Sequence, residues 1–486
     1  MCTVKKHHSW IIYPLLADYE QSVLSIKNAV YKNNKNKSLP IFEEIGMQTQ
    51  DLRKGLRHLL SKEDHSAKIG HVFQLKKRDL FQLPSRSDHS LLFYARTITE
   101  PFEIYLKEMR IVLFESGVVF LMIRIDSKHE CSLDACMNLM YYLCEPKDKK
   151  NHFEIKKKTW NPEAKSASYV TQTITLQEFM FQFISYLEGD IELGLYIQEA
   201  LHRKPIIYSY LITDVHPQKH RLQNLARNYH SAYQLNDQSE HHHNILQIFS
   251  NSYWCASING LCSLNVESNI ERTNQFFNQG FEYKWENDYF FLFLNALHQK
   301  HSLIYLLNEI RQYNHPFKNY DVIENKLIEF QKTNELFSLF LLRCFFNVPS
   351  SIEHVNQVYD LIENAFNIQD YENEFHSKFQ SLIAYYDTIT SRKKQIEDKQ
   401  KDIKKMYIQI YVGILGTLVS ILTIYASLIP ILEFWMGSAS SFLSAPSLII
   451  ILILIIPVIT VIVNIISQLQ EIKEHKQNIE KLKKLL

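Results

Sequence analysis

The residues whose types and spacing point to a function lie in the C-terminal part of the sequence. Small or weakly polar residues recur there at intervals of four, three, four, three and four positions. Because an α-helix turns once in about 3.6 residues, this spacing places them on one helical face. Such a face either packs helices closely in a bilayer or lines a water-filled pore, and the sequence leaves both interpretations open. The stripe consists of Gln409, Gly413, Gly416, Ser420, Thr423 and Ser427.

The segment that carries this stripe is apolar enough to cross a lipid bilayer. No charged side chain occurs in residues 406–432, and only two polar side chains occur from Leu448 to Ile466. A bilayer core is crossed by about 20 apolar residues in a helix. The sequence therefore predicts two transmembrane helices, over 406–432 and 448–467, joined by an extracytoplasmic loop over 433–447.

Basic residues predict the orientation of these spans. Seven Lys and Arg residues stand in the 14 positions from Arg392 to Lys405, five follow the second span, and the loop has none. By the positive-inside rule both termini are cytoplasmic, and residues 468–486 form a basic cytoplasmic tail. The abundance of Tyr, Phe, Ile, Asn and Lys suits a bacterial genome, so we expect a bacterial inner-membrane protein. In an oligomer Glu433 forms a charged ring at the outer mouth, which mildly favours cations.

An apolar 3,4 repeat leads into the first span and predicts a coiled-coil stalk. Such a repeat means that the helix packs on other helices, either of further copies or of the protein's own domain. Lys393 and Gln400 occupy two of its positions, where polar residues set register and oligomer state. Two spans cannot enclose a pore alone, so the pore interpretation requires an oligomer. The repeat comprises Phe375, Phe379, Leu382, Tyr386, Ile389, Ile396, Ile403, Tyr407 and Ile410.

The remainder of the chain predicts an α+β cytosolic domain over residues 1–285 and a helical region with the stalk over 286–405. Residues 90–126 favour strands, with a hairpin turn at Glu115–Gly117, and Asn259-Gly260 marks a second hairpin. After these hairpins, helical patterns dominate. This order is typical of an α+β domain that continues into a helical stalk.

Composition and motifs exclude several classes of protein. The net charge of +1 implies no bulk attraction to nucleic acid, so we expect no direct nucleic-acid binding. No phosphate-binding glycine loop, hydrolase motif or zinc-protease motif occurs. The seven cysteines form no CxxC pair and no zinc spacing, which indicates reduced structural thiols. We therefore expect no enzyme, no catalytic residues, no metal site and no resident cofactor.

Together, the α+β domain, the long stalk helix, the two spans with a short loop and the basic tail resemble the CorA superfamily. The resemblance implies a homopentameric funnel whose first membrane helix lines the pore. In that superfamily a Gly-Met-Asn motif follows the first span and selects hydrated magnesium. This chain departs from the pattern, because the corresponding place reads Trp435-Met436-Gly437-Ser438.

The chain is similar to a divergent branch of this superfamily that accompanies type III CRISPR systems. That resemblance implies an antiviral effector, which the second messenger SAM-AMP opens by binding the cytosolic domain. An adenylate ligand needs aromatic faces for stacking and cations for its phosphate. Arg227 and Tyr229 stand two residues apart and so would not share a helical face. The candidate ligand-binding residues are Arg221, Arg227, Tyr229 and Trp254.

Three functions remain open at this point. The first is the ligand-gated channel, whose opening lets ions leak across the inner membrane. The second is a constitutive transporter of divalent cations such as Mg²⁺ or Co²⁺. The third is a membrane-anchored sensor or scaffold without conductance, in which the two spans serve as an anchor.

Overall fold

The computed structural model describes residues 2–17, 23–25, 41–63, 65–76, 90–95, 101–145, 151–161, 166–175, 178–179, 182, 185, 204–233, 244–312, 334–335, 337–346, 348–436 and 445–484. The chain divides into two compact units. The sheet unit comprises Met1–Arg311 and Lys332–Phe375, and the hairpin unit comprises Gln312–Gln331 and His376–Leu486. The chain thus has an α+β sheet domain followed by long helices, as the sequence predicts.

Thirteen strands of the described residues form one sheet. They are β1 (Thr3–Leu16), β2 (Phe42–Ile45), β3 (Gly70–Leu75), β4 (Ser90–Tyr94), β5 (Phe102–Phe114), β6 (Val118–Ser127), β7 (Cys131–Ser132), β8 (His152–Asn161), β9 (Ser166–Thr175), β10 (Ile206–Thr213), β11 (Ile245–Phe249), β12 (Ser252–Ser257) and β13 (Gly260–Val266). Their main order is β11-β12-β13-β10-β1-β6-β5-β4-β8-β9, with β3 joining β2 to β5 and with β7 beside β1. Each pair is antiparallel except β10–β13, which is parallel.

The helices of the sheet unit cover both faces of this sheet. They are α1 (Lys54–Arg57), α2 (Leu133–Leu143), α3 (Lys219–Arg227), α4 (Glu271–Gln275), α5 (Glu282–Lys284), α6 (Phe290–Gln312) and α7 (Glu353–Phe366), with π-helical turns before and after α5. Successive strand residues point to opposite faces. On β1, Ile11 joins the apolar core that α2 and α3 complete, whereas the neighbouring Trp10 stacks on Phe290 of α6 with ring centres 5.1 Å apart.

Both hairpins expected from the sequence are present. The first joins β5 to β6, and its Gly117 adopts a φ of 81°, a left-handed conformation that glycine adopts without strain. The second joins β12 to β13 through Ile258 and Asn259, and Gly260 begins β13 opposite Ser257. The sheet unit also contains residues after position 285, where the sequence places the end of the α+β domain. Phe290, for example, lies with its ring centre 5.1 Å from that of Tyr208 on β10.

Two long helices make up most of the hairpin unit. They are α8 (Ile368–Met436), whose first turns belong to the sheet unit, and α9 (Ala445–Lys484). Of the helices described, α8 is long and apolar enough to cross a membrane, over Ile368–Ser427. Because α8 continues to Met436, the first four residues of the expected loop are helical, whereas residues 437–444 lie outside the described part of the chain.

Part of the apolar repeat of the stalk is buried within a single chain. Ile396, Ile403 and Ile410 of α8 form a cluster with Ile472 and Ile479 of α9. Their spacing of seven residues gives a continuous seam between the two helices. Of the two interpretations of the repeat, packing within one chain thus accounts for this part of it. Tyr407, another member of the repeat, is exposed and lies 3.2 Å from the Lys476 amine of α9.

Candidate functional site

A cavity of about 370 Å³ lies in the sheet unit where α3 ends. The ends of α2 and α3, the residues just before β10 and the β12–β13 turn surround it. Two of the four predicted ligand-binding residues, Arg227 and Tyr229, line it. The cavity is therefore the place to test for a ligand.

The C-terminal cap of α3 brings Arg227 and Tyr229 together. Arg227 is the last residue of the helix, and Asn228 follows in the left-handed conformation with φ 53° and ψ 44°. The amide of Tyr229 then donates to the Asn224 carbonyl at 2.9 Å. A left-handed residue reverses the chain at a helix end. The Arg227 guanidinium carbon consequently lies 6.0 Å from the centre of the Tyr229 ring, although the two residues share no helical face.

Hydrogen bonds of the Asn228 and Asn259 side chains connect this cap to the sheet. Its amide nitrogen donates to the Asn259 carbonyl at 2.9 Å, and the Asn259 side chain donates to the Arg227 carbonyl at 3.0 Å. Beneath the cap, the Ser257 hydroxyl donates to the Ala226 carbonyl. These reciprocal bonds satisfy carbonyls that a helix end leaves unpaired. They hold the Arg227 backbone in one position relative to the β12–β13 turn.

Three tyrosines give the cavity aromatic walls. Tyr233 lies edge-on to Tyr229, with ring centres 5.7 Å apart, and edge-on to Tyr141 of α2 at 6.2 Å. The hydrogen bond between the Tyr233 and Tyr141 hydroxyls, together with burial, raises the pKa of Tyr141 to about 12. The Tyr141 hydroxyl therefore stays protonated at neutral pH. Aromatic faces beside a cation suit a ligand that combines a flat ring with an anionic group.

The two cations at the cavity differ in their partners. The Lys204 amine pairs with the Glu145 carboxylate, and this hydrogen bond raises the pKa of Lys204. Among the residues described, no carboxylate pairs with the Arg227 guanidinium. Arg227 thus offers a guanidinium fork without an anion, a geometry that matches phosphate and carboxylate. Sequence reasoning missed Tyr141 and Lys204, because no local pattern links them to the distant Arg227. It also missed Tyr233, although this residue stands only four positions after Tyr229.

The other two predicted ligand-binding residues lie elsewhere. Arg221 points from α3 to α2, where its guanidinium binds the Asp134 carboxylate at 2.9 Å. Trp254 is fully buried, with its ring centre 4.6 Å from that of Tyr289. Strand alternation places the Trp254 side chain in the core on the face opposite α3, so it does not line this cavity. Arg221 does not line the cavity either, because its guanidinium pairs with a carboxylate of the neighbouring helix.

The polar stripe of α8 is exposed in the single chain. All six of its residues, from Gln409 to Ser427, are accessible. The Ser420, Thr423 and Ser427 hydroxyls each donate to the carbonyl four residues earlier, at 2.8, 2.7 and 2.7 Å. Each hydroxyl hydrogen is thereby satisfied inside the helix, and the oxygen still accepts from a neighbour or from water.

The stripe and the α9 seam occupy different faces of α8. At 100° per residue, the stripe lies about a quarter of a turn from the line through Ile403 and Ile410. Packing of α9 within one chain therefore does not account for the stripe. Glu433 lies in the last turns of α8, and its side chain is outside the described part of the structure.

No family model matches the sequence, and neither a curated protein nor a solved structure is significantly similar to it. The resemblance to the CorA superfamily therefore stays a prediction.

Proposed function

We propose that this chain is one subunit of a homopentameric membrane channel, which a nucleotide second messenger opens by binding the cavity at the end of α3. The observation that carries the proposal is the exposed stripe of small and hydroxyl-bearing side chains on α8, which α9 leaves uncovered. A face of this composition in an apolar helix meets other helices or water rather than lipid.

In the proposed assembly α8 is the pore-lining helix and α9 is the second span. Two helices from one chain cannot enclose a lumen, so five copies surround it with their stripes. Both termini lie in the cytoplasm of a bacterial cell, and the Glu433 ring stands at the outer mouth. The free energy of assembly comes from van der Waals packing between the faces of neighbouring copies that lie beside the lumen-facing stripe.

The cavity supports a nucleotide as the ligand. Tyr141, Tyr229 and Tyr233 offer aromatic faces to a base, and Arg227 offers its fork to a phosphate. SAM-AMP, the second messenger of type III CRISPR systems, has both parts, and the proposed role is that of an antiviral effector. The ligand opens the channel only to the extent that it binds the open state more tightly than the closed state.

The acidic residues before the first span do not favour the alternative of a constitutive cation transporter. Asp398 lies 3.9 Å from the Lys401 amine, and Asp402 lies 3.6 Å from the Lys405 amine. Alternating signs of charge weaken the attraction of such a ring for divalent cations.

Ion flux from liposomes that contain the purified full-length protein tests the proposal. We expect flux when SAM-AMP is added and none without nucleotide, with AMP and S-adenosylmethionine as separate controls. Magnesium flux without nucleotide would instead indicate the transporter. If no nucleotide opens the liposomes, the chain serves as an anchor and the channel proposal fails.

A further inference from the structure

A second cavity, of about 260 Å³, lies in the sheet unit between the β5–β6 turn and α6. Apolar side chains from four parts of the chain form most of its wall, among them Leu16, Ile69, Leu306 and Phe340. It shares no lining residue with the cavity at the end of α3. This second cavity has a polar end and an open end, which together define what fits into it.

Three hydrogen-bonding side chains make up the polar end. The Ser302 hydroxyl donates to the Ser116 oxygen at 3.0 Å, and the Ser116 oxygen lies 2.7 Å from Nε2 of His298. His298 is buried with its ring stacked on Phe114, ring centres 3.9 Å apart. Its second nitrogen, Nδ1, has no hydrogen-bond partner among the described residues. That nitrogen is itself enclosed, whereas Ser116 and Ser302 line the cavity, and their hydroxyl oxygens can accept a hydrogen bond from a ligand.

The open end is marked by exposed residues. Leu339 is 46% exposed, and beside it the Arg343 guanidinium binds the Glu115 carboxylate at 2.7 Å. From this rim the cavity deepens to Ser302 and His298, which are both buried. A ligand can therefore enter past Leu339 with its polar group first.

The cavity carries no net charge. Burial lowers the pKa of His298 to about 3, so its ring is neutral at physiological pH. The opposite charges of Glu115 and Arg343 neutralise each other at the rim. Since an ion buried without a partner is strongly disfavoured, the lining selects against charged ligands.

We propose that this cavity binds an uncharged, mainly apolar molecule that carries one hydroxyl or carbonyl group, held by Ser116 and Ser302. A water molecule in the liquid takes up about 30 Å³, so the cavity has room for at least roughly nine non-hydrogen atoms. A medium-chain alcohol such as 1-octanol has this size and chemistry. The site differs from the nucleotide cavity, where the unpaired Arg227 favours an anion.

Photolabelling with a diazirine derivative of 1-octanol tests this site in the full-length protein in lipid nanodiscs. Peptide mass spectrometry locates the adducts, and labelling of α8 by the same probe is the internal reference. We expect adducts on residues 337–344, or on the part of α6 around Ser302, and competition by 1-octanol. 1-Chlorooctane lacks the hydroxyl and cannot donate its hydrogen bond, so it should compete roughly threefold to tenfold less well.

Matched variants separate the cavity from surface labelling. Leu339→Trp fills the rim and should abolish the cavity adducts. Leu342→Trp changes a neighbouring leucine that is 81% exposed and does not line the cavity, so it should leave them unchanged. Ser116→Ala should weaken competition by 1-octanol but not by 1-chlorooctane. Labelling confined to α8 and α9, or cavity adducts that persist in Leu339→Trp, would overturn the proposal.

Discussion

The end of α3 places Arg227 where its guanidinium can bind a ligand. Arg221, two turns earlier on the same helix, is held by Asp134, whereas Arg227 meets the ring of Tyr229 and no described carboxylate. The two arginines thus have the same chemistry in different surroundings. This difference makes them a matched pair for testing the ligand site.

Arg227→Gln should weaken binding of SAM-AMP, because a charge-assisted hydrogen bond contributes about 1.5–3 kcal/mol. This corresponds to a Kd that rises roughly tenfold to a hundredfold. Arg221→Gln, the control, should leave the Kd unchanged while losing the contact with Asp134. Isothermal titration of both variants decides the matter, and equal losses in the two would assign the ligand to another place.

A second residue-scale feature is the buried charge of His8 on β1. Its two ring nitrogens lie 2.8 Å from carboxylate oxygens of Asp126 and Glu282. Burial by itself lowers the pKa of His8, but the two carboxylates outweigh burial and hold it above its ordinary value. Arg124 and Lys6 complete the network by binding Asp126 and Glu282, respectively.

This network predicts a pH dependence of stability. A raised histidine pKa contributes stability below about pH 6.5, and that contribution is lost as the pH rises through the folded-state pKa. The thermal midpoint of the sheet unit should therefore fall as the pH is raised above this value. His8→Gln should lower the unfolding free energy at pH 6 by about 3 kcal/mol, and with it the thermal midpoint. The same variant should remove the dependence of the midpoint on pH. Thermal melts followed by tryptophan fluorescence measure the midpoint. His129→Gln, the control at an exposed histidine, should retain the pH dependence in these melts.

At the scale of elements, α8 has one face that packs on α9 and another that α9 leaves exposed. One face carries Ile396, Ile403 and Ile410 to α9, and the other carries the small stripe. A helix that is buried by its own partner on one side can devote the other side to an assembly or a lumen. Substitutions on the stripe therefore affect contacts between copies or the pore, and not the fold of one chain.

Ser420→Leu or Thr423→Leu should abolish flux while leaving assembly intact, because each adds apolar bulk where the proposed lumen is narrow. Leu422→Phe, the control, adds bulk on the far side of α8 and should conduct normally. Flux and size-exclusion elution are measured on the same preparations. Variants that conduct but fail to assemble would make the stripe a packing face.

At the scale of the whole molecule, the proposed function depends on the number of copies. A single chain exposes the stripe and cannot surround a pore, so the proposed channel requires the pentamer. Native mass spectrometry from nanodiscs should give five chains per particle. A monomer that still conducts SAM-AMP-dependent current would contradict the assembly.

Several features follow from the sequence because they depend on neighbours in the chain. The β5–β6 turn needs a glycine at the position of Gly117, and the Asn259-Gly260 pair marks the β12–β13 turn. The apolar content of α8 and the common face of its stripe are likewise consequences of composition and helical period. These patterns sufficed to predict an α+β domain that precedes a long apolar helix.

The tertiary structure alone decided which residues meet. Tyr141, Lys204, Arg227 and Tyr229 come together only because the C-terminal cap of α3 and the start of β10 lie beside the end of α2. Trp254 lies away from the cavity at the end of α3 because its strand is covered on both faces, which periodicity in a short strand does not reveal. Likewise, the apolar repeat of α8 does not determine whether the helix packed against it is α9 or a helix of another copy. Contacts between distant positions depend on how strands pair and helices pack, and local sequence patterns do not encode that arrangement.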